Sequence, residues 1–195
     1  MDKVVSFLND FKPDVVCMQE VMETRFDYFE KALNMKGYFV PMARYNIVPL
    51  DKKSPINCFG VAIFSNLQML NVESKYYYGG EGDIPLLQFD GKNIDEKSVW
   101  RVLISGNVSK DNESYTIATT HFTRTHDGST SDKQREDLKN LLKITEKKPE
   151  IILCGDFNAP RGQEIFSKLS EKYKDNIPPE YTSSLDTELH RIGKV

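Results

Sequence analysis

The sequence predicts an α/β fold, and three observations carry that prediction. Segments with apolar residues at helical spacing alternate with short β-branched and aromatic runs along the 195-residue chain, a pattern of mixed sheets and helices. Two strand-like runs, 99–108 and 115–122, follow one another across Lys110-Asp111-Asn112-Glu113, so part of the sheet is antiparallel. Three apolar runs end in side chains that carry chemistry: Gln19-Glu20, His121, and Gly155-Asp156-Phe157-Asn158. Ligands of open α/β sheets bind there, beyond the carboxyl ends of strands.

Each element has a local reason. Val4, Val5, Phe7, Leu8 and Phe11 recur at helical spacing before Pro13, predicting a helix over 2–11. Val15 to Met18 is an apolar run that predicts a strand. Phe26, Tyr28, Phe29 and Leu33 predict a second helix over 26–33, with Gly37 as its stop. Tyr38-Phe39-Val40 and residues 58–65 predict strands, separated by a polar, turn-rich stretch over 46–57. Residues 71–78 alternate weakly and end at Gly79-Gly80-Glu81-Gly82, a glycine turn. Residues 99–108 and 115–122 predict a hairpin, 125–132 a loop, and 133–146 a helix with Leu138, Leu141, Leu142 and Thr145 on one face. Ile151-Ile152-Leu153-Cys154 predicts a strand buried on both faces.

The strand ends differ usefully in chemistry. Asp156 and Asn158 stand two apart, so in extended backbone they point the same way. A carboxylate orients water or binds a hard cation, and an amide holds a phosphate oxygen. Gly, Asp and Asn are equally the residues of a plain turn. Glu20 suits Mg²⁺, which takes oxygen ligands and few protein carboxylates, or it caps the segment after the strand. His121 is a phosphate donor or a hydrogen-bonded structural residue. Arg101, after Trp100, is a candidate bidentate phosphate clamp, with an interstrand role as its alternative. Arg124 lies on the loop beyond His121 and is a second candidate for touching substrate. Together the groups suit phosphate-ester hydrolysis: a metal carboxylate, an imidazole, a carboxylate for water and a positioning amide. Lys133, Arg135, Lys139, Lys143, Lys147 and Lys148 interleave with acidic residues, which reads as a solvated helix face. Tyr76-Tyr77-Tyr78 could stack on bases, with packing as the default.

In order, Met18-Gln19-Glu20-Val21, Gly60-Val61-Ala62-Ile63-Phe64-Ser65, Thr120-His121-Phe122 and Gly155-Asp156-Phe157-Asn158-Ala159-Pro160 resemble the endonuclease/exonuclease/phosphatase superfamily of deoxyribonuclease I-like fold. The resemblance covers residues 4–184 and implies a four-layer α-β-β-α sandwich with a phosphoesterase site between two sheets. It implies Glu20 as metal ligand, His121 against the scissile phosphate, and Asp156 and Asn158 as the pair that orients water and holds phosphate. Mg²⁺, with Mn²⁺ as a substitute, is the implied cofactor, and the implied substrate is a phosphoester, nucleic acid among the candidates.

The match departs at both ends. The family's opening strand, which closes on an Asn, has no counterpart before Met1-Asp2-Lys3-Val4. Its closing Ser-Asp-His has none after Arg191-Ile192-Gly193-Lys194-Val195, and His190 reads as a surface residue. The expectation is therefore one partial domain over 1–195, incomplete at the first and last strands, part of a longer parent or a shortened product. Weak or no hydrolysis by the isolated chain is expected in turn, since catalytic residues that act as a unit fail together. The rival expectation is a non-catalytic binding module that keeps the fold.

At 39% apolar the chain has the content for a globular core. A net charge of −3 gives no global positive field for nucleic acid, which weakens duplex binding and leaves local basic groups to do any such work. Cys17, Cys58 and Cys154 lack metal spacing, and an odd count argues for structural thiols in a reducing compartment, hence a cytoplasmic location. No apolar stretch has membrane length.

Overall fold

The computed structural model describes residues 2–46, 55–90, 93–125, 128–148 and 150–181. Helix α1 (Asp2–Phe11) leads to strand β1 (Val15–Met22), helix α2 (Glu23–Leu33), and strands β2 (Lys36–Asn46) and β3 (Ile56–Ser65). Strand β4 (Leu70–Tyr78), the short β5 (Phe89–Asp90) and β6 (Asn93–Ile94), and a 3-10 turn (Glu96–Ser98) come next. The chain continues through β7 (Arg101–Lys110), β8 (Glu113–His121), α3 (Asp132–Thr145), β9 (Ile151–Asp156) and α4 (Glu164–Lys172).

The layers arise from side-chain alternation. One sheet has the order β1-β3-β2 and the other β4-β7-β8-β9. Along β3, Val61 and Ile63 point inward and meet Val102, Ile104, Val108 and Ile117 of the other sheet, forming the central core. Ala62 and Phe64, on the opposite face, pack with Val5, Phe29 and Leu33 of the first two helices. On the far side, Leu103, Ala118 and Phe122 meet Leu138 and Leu141 of α3 and Ile165 and Leu169 of α4. Three apolar interfaces thus bind four layers, α-β-β-α, the architecture of deoxyribonuclease I-like proteins.

Several local expectations change. Helix α2 ends at Asn34, whose left-handed φ of 52° lets its N–H reach the carbonyls of Glu30 and Lys31. Gly37 is a packing glycine inside β2, where a Cβ would stand 2.6 Å from the Phe26 ring. Strand β9 is not buried on both faces. It lies at the sheet edge among the described residues, and Ile152 is 45% exposed while Ile151 and Leu153 face the helices. Helix α4 had no counterpart in the expectations, although Ile165 and Leu169 sit four apart and are buried. The hairpin turn holds: β7 and β8 pair through Lys110 and Glu113, with Asp111 and Asn112 both at positive φ, a two-residue turn matched to strand twist. Most of the stretch 46–57 lies outside the described residues, as does His190. Among the described residues no helix is long and apolar enough to cross a membrane.

Candidate functional site

Strands β8 and β9 are parallel and run in register up to His121 opposite Asp156, so two strand ends deliver their last side chains to one place. A β8-α3-β9 crossover makes this pairing possible. Gly155 is required there, because a Cβ would stand 2.2 Å from the Thr120 carbonyl oxygen. The Phe122 N–H then donates to the Asp156 carbonyl at 2.8 Å and continues the pairing one step further. His121 Nε2 comes within 3.8 Å of Asp156 Oδ2.

Asn158 completes the tip. At φ 47° its backbone N–H donates to Asp156 Oδ1 at 2.9 Å, and its side-chain amide donates to the Phe122 carbonyl at 3.0 Å. Gly155 to Asn158 is therefore a turn and a candidate site at once: the Asp turn aims the carboxylate, and the Asn fastens the loop to β8. Asp156 remains exposed, with its Oδ2 toward His121.

His121 is 8% exposed, and burial first, then Arg101, hold its imidazole down from 6.5 to about 4 against the opposing pull of Asp156. The ring is thus neutral near pH 7, and its approach to Asp156 is not an ion pair. Among the described residues the buried Nδ1 finds no hydrogen-bond partner. A neutral ring whose Nε2 faces the open carboxylate can offer an N–H to an oxyanion there.

Arg101 sits beneath this tip rather than at its surface. Only 2% exposed, its guanidinium donates to the His121 carbonyl at 3.2 Å and pairs with Glu96. Those bonds suit the interstrand alternative and make Arg101 a support for the histidine backbone. Arg124 is open to solvent and lies 3.8 Å from the other Glu96 oxygen. It lines a cavity of about 360 Å³ with Ile94, Glu96, Thr123, Ser131 and Lys133.

The sequence reading missed the polar layer that supports the loop after His121. Helix α3 opens on a capping box between Ser131 and Gln134. The buried Gln134 amide also donates to the carbonyls of Thr123 at 2.8 Å and Asn158 at 3.2 Å, tying the two tips together. Asp137, 1% exposed, accepts from Thr123 and from Lys133 at 2.7 Å. Lys133 also lies over the Tyr78 ring, so it is not part of a solvated face. Tyr77 stacks on Phe122 and bonds to Thr120, and Tyr76 packs on Trp100, so these aromatics are built into the scaffold. The available signal was polar residues at 134 and 137 within the apolar stripe that continues at 138 and 141.

Glu20 arrives from the other sheet by a different device. Met18 pairs with Ala62 and Val21 with Gly60, so Gln19 and Glu20 stand against the single Val61 in a β-bulge. Glu20 has φ 56°, and its side chain is exposed. The neighbouring Gln19 amide donates to Thr119 Oγ1 at 2.9 Å, linking the bulge to β8 two residues before His121. Among the described residues no three His, Cys, Asp or Glu side chains gather into a metal cage. Mg²⁺ does not need one, since it keeps several waters and commonly uses one or two carboxylates with substrate phosphate. An exposed carboxylate held at a bulge on the histidine side of the sandwich fits that mode.

Among solved structures the chain is similar to a functionally unknown conserved protein from Enterococcus faecalis V583, at 14% identity and TM-score 0.62, over 89% of this chain and 64% of that one. It is similar to an endonuclease/exonuclease/phosphatase from Bacteroides vulgatus, at 15% identity and TM-score 0.60, over 87% and 61%. It is also similar to the human nocturnin catalytic domain with bound sulfate, at 20% identity and TM-score 0.55, over 87% and 60%. The chain thus spans 60–64% of the length of these structures, and the likeness is one of fold. No curated protein matches the chain. The sequence profile of the Endonuclease/Exonuclease/phosphatase family matches residues 1–190, which take in every strand and helix among the described residues, and the chain belongs to that family.

Proposed function

We propose that the chain is a Mg²⁺-dependent phosphoester hydrolase of the phosphodiesterase or nuclease kind. The observation that carries this reading is the pairing of a neutral, buried His121 with an exposed Asp156 at two parallel strand tips, 3.8 Å apart. A histidine held neutral donates a hydrogen bond without fixing a counter-charge, which suits a phosphoryl oxygen whose charge grows during reaction. Asp156, with one oxygen already accepting from the Asn158 N–H, keeps the other to orient or deprotonate water. The second hydrogen of the Asn158 side-chain amide is free of Phe122 and can steady a phosphate oxygen. Glu20 is the residue that would hold Mg²⁺, or Mn²⁺ in its place. When bound, the ion would supply Lewis-acid chemistry at a phosphoryl oxygen. Arg124 offers a cation beside the tip for a further anionic group of substrate. The sulfate bound to the nocturnin catalytic domain is a tetrahedral oxyanion of the same shape as phosphate.

The test is Asp156→Ala, assayed with Mg²⁺ on an aryl phosphodiester and on single-stranded oligonucleotides. Expected is a loss on the order of a hundredfold or more, with little change in melting temperature because the side chain is exposed. Equal turnover by the variant would overturn the assignment. Calorimetric Mg²⁺ titration reads the site even where turnover is slow. If no ion binds, a binding module that keeps the fold replaces the hydrolase.

A further inference from the structure

Directly behind the strand tips the two sheets bring a pair of thiols together. Cys17 lies two residues before Gln19 on β1, so both side chains point toward the other sheet. Gln19 bonds to Thr119, and Thr119 is the register partner of Cys154 on β9. The consequence is that Cys17 and Cys154 face each other across the sandwich beside Thr119, each thiol bearing on the other's protonation. Sheets usually pack about 10 Å apart. Here Cα atoms of β1 approach those of β9 to within 8 Å.

We propose that Cys17 and Cys154 are a redox modification site, closing to a reversible disulfide when the protein meets a hydroperoxide. The inference does not depend on the hydrolase reading. Cys154 lies on β9, an edge strand among the described residues, whereas Cys17 packs against the central core, so Cys154 is the more accessible sulfur. The neighbouring Cys154, with burial, holds Cys17 well above the ordinary thiol range. In the first step the Cys154 sulfur attacks one peroxide oxygen, the O–O bond breaks, and the departing oxygen leaves as water after taking a proton. Cys154 is then a sulfenic acid. The Cys17 sulfur attacks the Cys154 sulfur, the S–O bond breaks, and hydroxide leaves with the Cys17 proton as a second water. Two electrons pass from the thiols to the peroxide, and one S–S bond forms. Disulfides span Cα separations of roughly 4.4–6.8 Å. The approach of β1 to β9 within 8 Å brings the pair near that range, and thiols reverse the bond by exchange.

The experiment treats the purified chain with stoichiometric hydrogen peroxide, then digests it without reductant for peptide mass spectrometry. A Cys17–Cys154 linked peptide pair, lighter by two hydrogens, is expected as the main oxidised product. Dithiothreitol should remove it. Cys58→Ser, which keeps both facing thiols, should form it equally, and Cys17→Ser should instead halt at oxidised Cys154. Linkage through Cys58, oxidation of either cysteine to sulfinic acid without linkage, or unreacted thiols would each overturn the proposal.

Discussion

The two sheets present their candidate functional groups by opposite means. The β4-β7-β8-β9 sheet delivers His121 and Asp156 at the ends of regular, parallel, in-register strands. A buried polar layer of Arg101, Gln134 and Asp137 lies beneath them. The β1-β3-β2 sheet delivers Glu20 by an interruption, a bulge with left-handed backbone whose side chain is exposed. One half of the candidate site is tied by hydrogen bonds to its own scaffold. The other half is a lone carboxylate on a kinked strand, tied across by the Gln19–Thr119 bond. The lesson is that substitutions in the buried layer beneath the first half should cost stability, whereas Glu20 should matter for ligand alone.

The sharpest way to break that comparison is Arg101→Ala. The guanidinium is almost fully buried and pairs with Glu96, so truncation leaves a half-buried carboxylate without its partner and the His121 carbonyl without its donor. Removing one member of a buried pair costs about 3–5 kcal/mol. Urea unfolding should show a loss of that size. A loss below about 1 kcal/mol would mean that the polar layer is not what holds this tip.

Next comes pH. His121 titrates near 4 in the folded chain and near its ordinary 6.5 when unfolded, so between those values the unfolded state takes up the proton first. Stability attributable to His121 is therefore complete above pH 6.5 and is lost as pH falls through that window, by roughly 3 kcal/mol at most. Comparing unfolding of the native chain and His121→Gln at pH 7 and pH 4.5 isolates this contribution. The native chain should lose more stability between the two, and equal losses would show that the ring is not held neutral by burial.

Gln134→Ala is a smaller perturbation. It frees two loop carbonyls that the amide now joins and removes half of the capping box. About 1–3 kcal/mol is expected, together with faster amide exchange at Thr123 and Asn158. Loss of stability without the local exchange effect would make Gln134 a helix cap and nothing more.

How much of this was legible depends on the range of the interactions. His121, Asp156 and Asn158 stand out because an apolar run giving way to polar side chains is a local pattern, and the two-residue turn at Asp111-Asn112 is equally local. The order of layers comes from alternation along single strands such as β3. The facts that did not show are those requiring two distant segments. Arg101 reaches the His121 carbonyl only because β7 and β8 pair, and Gln134 and Asp137 look like ordinary polar residues on a charged helix until β8 and β9 close over them. Strand β9 reads as doubly buried because Ile151-Ile152-Leu153-Cys154 is apolar throughout. Apolarity alone does not reveal that Ile152 lies on an edge strand. The bulge at Glu20 is also silent, since inserting one residue leaves the apolar pattern up to Met18 unchanged.

The last prediction sharpens the comparison by expecting almost nothing in one measurement and a clear loss in another. Glu20→Gln keeps size and hydrogen-bonding capacity at an exposed position, so unfolding free energy should stay within about 0.5 kcal/mol of the native value. The left-handed backbone at Glu20 gives no reason for a larger change, since Gln and Glu meet the same steric cost there. Removing the charge should nonetheless weaken Mg²⁺ binding by calorimetry, because a hard cation depends on anionic oxygen when it has few protein ligands. If stability falls by as much as in Gln134→Ala while Mg²⁺ affinity is unchanged, the carboxylate serves the bulge and not an ion. The two sheets would then differ in how they build a scaffold, and the asymmetry at the tips would carry no chemistry.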